Sequence, residues 1–515
     1  MKIKECIQKI VGRSIFDSRG VPTVEIDMQT VLGKVRASCP SGASTGSQEA
    51  LEIRDGDMSV CMGKGVQKAL IAVEEIASLL ITKETRIIDQ KKIDGLMVEL
   101  DGTENKSRLG ANSILPISVC FARLGALYMG MEDWMYLRML INDDKAPIDM
   151  QSASSATSTQ TEEVKRLPQG GVVISNTNTN NASYSSKDQV ARKEMAKKIA
   201  EEYDSKYVKK EEVEKRRQEE STRNKKTKKE EFGKDAKKTK ISFPKIFFNV
   251  INGGAHADNG LFAQEIMVSF EGSTPYKVLT LASEFIHTLK IIVKKEYKLT
   301  GVGDEGGFAP PVSSLEEALD LIQAASKKCG IKPVIALDVA ASEFYQDGKY
   351  NVGWKTKSKL LTSEEMVAYY LKIIDTYKIS MIEDPFDEKD YAGWKQFMKA
   401  AAKKSVQVVG DDLIVTNKKL IKKAGEEKLC NVALIKMNQI GTVSETIEAV
   451  KEARKQGMKV MASHRSGETE DTFLAHLSVG LAVDYLKAGS LCRTERVCKY
   501  NELVRIFEKS KIDTI

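Results

Sequence analysis

Val334-Ile-Ala-Leu-Asp338, Ser380-Met-Ile-Glu383, Val406-Gln-Val-Val-Gly-Asp411, Val432-Ala-Leu-Ile-Lys436, Lys459-Val-Met-Ala-Ser-His464 and Tyr485-Leu-Lys487 follow one another along the second half of the chain. Leu299-Thr-Gly-Val-Gly-Asp-Glu305 precedes them and makes a seventh run that closes on charged or hydrogen-bonding residues. A short apolar run bounded by helical patterns reads as a buried strand. Strand and helix in alternation imply a parallel sheet, either open or closed into a barrel. In a barrel the C-terminal ends of the strands meet at one mouth, where side chains do chemistry. One such end is a solvated charge; seven in succession predict a shared pocket.

Working outward, the chain of 515 residues has room for two or three domains with real cores. Apolar content of 42% with 29% charged residues is that of a globular chain, which excludes fibrous and wholly disordered classes. No uninterrupted apolar run reaches the ~18 residues of a membrane span. The start, Met1-Lys-Ile-Lys-Glu-Cys-Ile7, lacks a secretory apolar core, and Ile512-Asp-Thr-Ile515 matches no short address signal. Cysteines at 6, 39, 61, 120, 329, 430, 492 and 498 form no CxxC pair, which predicts reduced, mostly buried thiols and a cytoplasmic protein. The net charge of +7 is concentrated: Lys187 to Lys240 holds 20 Lys/Arg against 13 Asp/Glu, an excess that accounts for all of it. The basic balance therefore argues only weakly for a nucleic-acid enzyme.

Three regions follow. Residues 1–142 open with alternating Ser14-Ile-Phe-Asp17 and Thr23-Val-Glu-Ile-Asp-Met-Gln-Thr-Val31 around a Gly/Pro turn, a hairpin or meander. Helical patterns such as Val66 to Ala77 come next, so this part reads as a small α+β capping domain. Residues 143–240 are polar and low in complexity, then rich in Lys and Glu. The i,i+4 pairs Glu194/Lys198, Glu211/Lys215 and Glu212/Arg216, with a stripe Met195, Ile199, Tyr203, Tyr207, predict a frayed, solvated helix in a disordered insert. The other reading is an arm for an acidic partner. Residues 241–515 form the barrel.

Asp338, Glu383 and Asp411 stand at successive strand ends. Hard oxygen ligands meeting at one point repel one another unless a cation is present, and Mg²⁺ suits such an open site. Independent surface carboxylates, or ion pairs with the barrel lysines, are the bland alternative. Lys436, at the next strand end, should lose its proton more readily beside a divalent cation and serve as a general base. Glu305, in the glycine-rich Gly303-Asp-Glu-Gly-Gly-Phe-Ala-Pro310, is placed as the opposing acid. His464-Arg465-Ser466 offers a forked cation and a hydroxyl for an anion or phosphate. His256, within Gly253-Gly-Ala-His-Ala-Asp-Asn-Gly260, is a lid candidate, whereas His287 and His476 fall in helical patterns. Pro40-Ser-Gly-Ala-Ser-Thr-Gly46 reads either as a turn or as a flap that brings Ser44 to a ligand oxygen.

Together these residues resemble enolase. Phe16-Asp-Ser-Arg-Gly20, Pro40-Ser-Gly-Ala-Ser-Thr-Gly46, Leu100-Asp-Gly-Thr-Glu-Asn-Lys-Ser107, Gly303-Asp-Glu-Gly-Gly307, Ile382-Glu-Asp-Pro-Phe386, Lys436-Met-Asn-Gln-Ile-Gly441 and Ser463-His-Arg-Ser-Gly-Glu-Thr-Glu-Asp471 carry the likeness. It covers nearly everything outside the insert. The resemblance implies an α/β fold, a (β/α)8-like barrel behind an N-terminal α+β cap, and dehydration of 2-phosphoglycerate. It implies one Mg²⁺ on Asp338, Glu383 and Asp411 and a second held with substrate and Ser44. Lys436 would be the base, Lys487 would stabilise the charged intermediate, and Glu305 supported by Glu265 and His464 would assist loss of water. Arg465, Ser466, Gln264 and His256 would bind the substrate phosphate. A homodimer is implied too, with contacts Glu25/Arg505 and Arg13/Glu495.

The chain departs from the family pattern in its insert and in four single positions. Asp258 stands where glycine is usual, Phe262 where a small residue is usual, Val21 in place of asparagine and Pro116 in place of glycine. Two other readings stand beside the dehydratase: an enolase-like scaffold of low activity whose insert binds a partner, and a superfamily member acting on a non-phosphorylated acid. No catalytic group of the family is missing, which favours the dehydratase.

Overall fold

The structure, a computed structural model, describes residues 1–42, 46–143 and 243–512. Ser44 and the expected helix of the insert lie outside them.

The alternating N-terminal segments form an antiparallel meander of β1 (Ile7–Phe16), β2 (Pro22–Thr30) and β3 (Gly33–Ser38). One face of β2 carries Val24, Ile26 and Met28, all buried, and the helices Gln67–Leu80 and Ala111–Met129 pack over this sheet. Ala111–Met129 is apolar and long enough to cross a membrane by composition alone, yet 83% of its window is buried inside the protein. Pro116 sits within it, one turn from its start.

The second part closes into an eight-stranded barrel. Its strands are β4 (Lys245–Asn252), β5 (Glu265–Ser269), β6 (Val334–Asp338), β10 (Ile379–Glu383), β11 (Gln407–Gly410), β12 (Val432–Ile435), β13 (Lys459–Ser463) and β14 (Tyr485–Lys487). A small side sheet, β7 (Tyr345–Gln346), β8 (Lys349–Asn351) and β9 (Leu360–Leu361), interrupts the sequence between β6 and β10. Helix starts along the barrel are set by side-chain caps: Ser314, Thr362 with Glu365 in a capping box, and Thr442 each accept a backbone N–H.

Two sequence expectations are corrected. The barrel is not wholly parallel, because β5 runs antiparallel to both β4 and β6. Leu299–Glu305 is not a barrel strand but part of a loop that folds back on β4. Its glycines explain the misreading. A Cβ on Gly303 would lie 2.6 Å from the His256 carbonyl oxygen and 2.7 Å from the Asn252 Cβ; one on Gly307 would lie 2.7 Å from the Asn249 side-chain oxygen. The glycines let this loop lie against the protein's own strand rather than against a ligand.

The cap and barrel pack as one compact unit. Ser41 and Gly467 exchange backbone hydrogen bonds of 2.8 and 2.9 Å, the Ser38 hydroxyl meets Thr469 at 2.6 Å, and Arg123 donates twice to Asp471 at 2.9 and 2.8 Å. These contacts hold the cap against the rim where the strands end.

Candidate active site

An apolar layer fills the barrel: Phe247, Met267, Ala336, Met381, Val409, Val432, Leu434, Met461 and Tyr485, drawn from every strand. Side chains two apart on a strand share a face. Two residues onward from this layer therefore come Asn249, Asp338, Glu383, Asp411, Lys436, Ser463 and Lys487. β5 runs the other way, so Glu265 joins them from two residues before Met267. The polar ring is the next layer of the barrel interior, and all its members but the half-buried Lys436 are buried between the apolar layer and the cap.

Lys487 lies at the centre of one half. Its ammonium donates to Glu265 at 3.2 Å, Asp338 at 3.0 Å and Glu383 at 2.7 Å. Burial opposes its charge, but the three carboxylates outweigh burial and hold its pKa well above the usual lysine value. Burial and the neighbouring Asp338 push Glu383 well above the usual carboxylate range. Lys436 lies in the other half, paired with Asp411, whose second oxygen accepts Gln439 Nε2 at 2.8 Å. The lowering expected of Lys436 was for a lysine beside a divalent cation; the protein groups alone act differently. Burial acts in that direction, but Asp411 prevails and raises it.

Asp338 and Glu383 sit side by side in register across β6 and β10, whereas Asp411 is turned toward Lys436. Among the described residues the tightest acidic groups are Asp384, Asp411 and Asp412, and His256, Glu265 and Glu305, each with ligand atoms within 4.8 Å of one another. The expected trio is thus split between two lysines. A hard divalent cation nevertheless fits the donor set. The carboxyl groups outnumber Lys436, Lys487 and Arg465, and the Oε2 atoms of Glu383 and Glu265 are buried without a hydrogen-bond partner.

Glu305 arrives from the glycine loop. Its Oε2 accepts Asn249 Nδ2 at 2.8 Å, while its Oε1 faces His256 Nδ1 at 3.4 Å and His464 Nε2 at 3.6 Å. Burial and the charge of Glu305 raise Glu265 well above the usual carboxylate range. Burial would raise Glu305 as well, but His256, which faces it at 3.4 Å, and the other groups around it outweigh burial and hold Glu305 well below.

A pocket opens on these groups and is lined by eleven of the expected residues: His256, Gln264, Glu265, Glu305, Asp338, Asp411, Lys436, His464, Arg465, Ser466 and Lys487. Glu383 lies behind them, on Lys487. Lys436, Lys487 and Arg465 set among buried carboxyl groups suit proton transfer to and from an anionic substrate. A family model for the enolase C-terminal TIM barrel domain matches residues 240–513, and one for the enolase N-terminal domain matches residues 7–137.

The chain belongs to the enolase family. Its chemistry is therefore that of an enolase-type lyase.

The loop between β4 and β5, the lid candidate, is clasped in two ways. Lys355, on the segment between β8 and β9, donates to the carbonyls of Gly254 and Ala257, which straddle His256. Phe262 is buried, its ring 5.4 Å from that of Phe344 and 6.1 Å from that of Tyr369. Phe262 is thus an anchor in an aromatic group rather than loose bulk on the loop. Asp258 stays exposed. Gln264 lines the pocket with its Oε1 buried and unpartnered.

Several residues of the site were not legible beforehand. Glu49, on the cap, pairs with the buried Arg465 at 2.9 Å. Asp384 accepts the backbone N–H groups of Asp411 and Asp412, both at 2.8 Å, and fixes the turn that presents Asp411. Arg496 reaches the back of His464 from the helix Thr494–Ile512. The doubled acids Glu383-Asp384 and Asp411-Asp412 were a usable signal for Asp384; a single charge in the first turn of a helix was none for Arg496. Of the expected subunit contacts, Arg13 pairs within this chain with Glu25 and Asp27, Arg505 with Glu502 at 2.7 Å, and Glu495 lies 3.4 Å from Arg496.

Proposed function

We propose that this protein catalyses the reversible dehydration of 2-phosphoglycerate to phosphoenolpyruvate, the glycolytic and gluconeogenic enolase step, in the cytoplasm. The observation that carries this reading is the single pocket shared by Lys436, the Glu265–Glu305 pair and His464-Arg465-Ser466. The first two supply a proton acceptor and a proton donor, and the last a grip for phosphate. Asp338, Glu383 and Asp411 would hold one Mg²⁺, and Ser44 would contribute to a second that arrives with substrate. Bound there, the ions supply fixed positive charge where the substrate carboxylate becomes more negative.

The chain's own groups do the rest. With Asp411 engaged as a metal ligand, the Lys436 ammonium would lose its carboxylate partner, release its proton to water and, as a neutral amine, take the C2 proton. The Glu265–Glu305 pair returns a proton to the C3 hydroxyl, so that the C–O bond breaks with water as the leaving group. Lys487 faces the developing negative charge, and Arg465 and Ser466 orient the phosphate with Gln264 and His256. The particle is a two-fold dimer through Glu25/Arg505 and Arg13/Glu495, which sedimentation would read as two chains.

The test is formation of an ultraviolet-absorbing enol phosphate from 2-phosphoglycerate at varied Mg²⁺. Lys436→Ala should lower the rate by at least about 10²-fold, the usual share of a general base. An inactive Mg²⁺-loaded protein, or a variant as active as the parent, would end this reading.

A further inference from the structure

We propose that Arg496 is a positioning residue that holds His464 as its Nε2–H tautomer, so that the ring donates toward Glu305 and cannot take a proton from it. This deepens the proposed dehydration and rests on that reading only for its catalytic consequence.

The argument begins with what a guanidinium can do. It has five N–H donors and no acceptor. Arg496 Nη1 is hydrogen-bonded to His464 Nδ1, so that nitrogen must be the acceptor and carry no proton. The ring's one proton then sits on Nε2, the atom 3.6 Å from Glu305 Oε1. The His464 main chain is fixed as well, since its backbone N–H donates to the Lys487 carbonyl at 3.0 Å.

Arg496 is itself held. It is fully buried, and its fork donates to the carbonyls of Arg465, Ser466 at 2.6 Å and Asp304 at 3.2 Å. One side chain thus ties together the histidine, the phosphate-grip backbone and the loop that carries Glu305. Its path depends on Gly489, where a Cβ would lie 2.8 Å from Arg496 Cδ and 2.8 Å from the Glu305 carbonyl oxygen. Glu305 is the one acid among the charged groups facing the His464 ring; Arg496, Lys487 and Lys436 are the cations. Burial, helped by these cations, holds the ring well below the usual histidine pKa against the pull of Glu305. A neutral ring with its proton on Nε2 orients the carboxylate and leaves proton transfer to the Glu265–Glu305 pair.

The deciding measurement is the ¹⁵N spectrum of ring-labelled histidine in the full-length protein. The chain has 4 histidines, and the His464 signals are assigned by their loss in His464→Gln. The expected result is an unprotonated Nδ1 and a protonated Nε2; a protonated Nδ1 overturns the proposal. This readout needs no turnover, so it stands apart from any failure of the dehydratase assay. Arg496→Met removes every donor at similar length. If folded, it should lower kcat about 10–100-fold with KM nearly unchanged, the usual effect of losing a residue that orients a catalytic group. It should also give a His464 spectrum with mixed tautomers. A folded variant with parental kcat and an unchanged Nε2–H signal would equally overturn it. Should the variant not fold, the spectrum of the intact chain decides alone.

Discussion

Arg465 shows how a residue expected to bind substrate is first made rigid by the protein. Its guanidinium is buried against Glu49 of the cap and also donates to Asn438 Oδ1 at 3.2 Å. Glu49→Ala would leave a buried cation unpaired, which costs about 3–5 kcal/mol. Urea denaturation should read that loss, while Glu49→Gln, which keeps an acceptor, should lose less. The identities of Arg465, His464 and Ser466 were readable from the run Ser463-His-Arg-Ser. The partner Glu49 was not, because it lies more than 400 residues away and nothing local marks it. Lys436 and Lys487 teach the same lesson. Burial alone lowers a lysine, but each has carboxylates in contact that reverse the shift.

The elements around the site carry two further expectations. The lid segment between β4 and β5 is pinned by the Phe262 ring in its aromatic group. Phe262→Ala should cost about 3 kcal/mol locally. The effect should appear as faster amide exchange over residues 253–264 and a higher KM, with the barrel strands still protected. The cap-to-barrel seam is governed by Asp471, which accepts from Arg123 and from the backbone N–H groups of Phe473 at 2.8 Å and Ser38 at 3.2 Å. Burial works to raise its pKa, but Arg123 and these donors lower it. A carboxyl depressed on folding adds stability above its unfolded pKa of about 3.9 and loses it as pH falls through the lower folded value. Asp471→Asn should therefore cost about 3 kcal/mol near neutral pH, since it removes the charge from a buried pair. The gap between variant and parent should narrow as pH falls below the unfolded value of about 3.9 and close once pH has dropped through the lower folded one. A gap that stays constant between pH 7 and pH 3 would contradict this account.

For the whole molecule, every described residue of the site comes from residues 1–142 or 243–512. Replacing residues 143–240 by a short flexible linker should leave kcat and the unfolding midpoint unchanged in the coupled assay and in thermal denaturation. A loss of activity would mean that the segment takes part in catalysis, and loss of a captured acidic partner would favour the scaffold reading.

The alternation of strand and helix, most of the barrel strands and the chemical character of the mouth were legible in the chain's local pattern, which left open sheet and closed barrel both standing. Those features rest on local rules: a strand repeats every two residues, so the apolar layer at Met381, Val409, Leu434 and Met461 announces the polar layer two residues onward. Only the tertiary structure decided which partners those polar groups meet. It reversed β5, turned Leu299–Glu305 into a loop, split Asp338 and Glu383 from Asp411 between two lysines, and brought Glu49 and Arg496 to the site. The reason is physical: the periodicity of a chain specifies which way a side chain points, whereas charge state and hydrogen bonding depend on groups far away in sequence that share a buried, low-dielectric space.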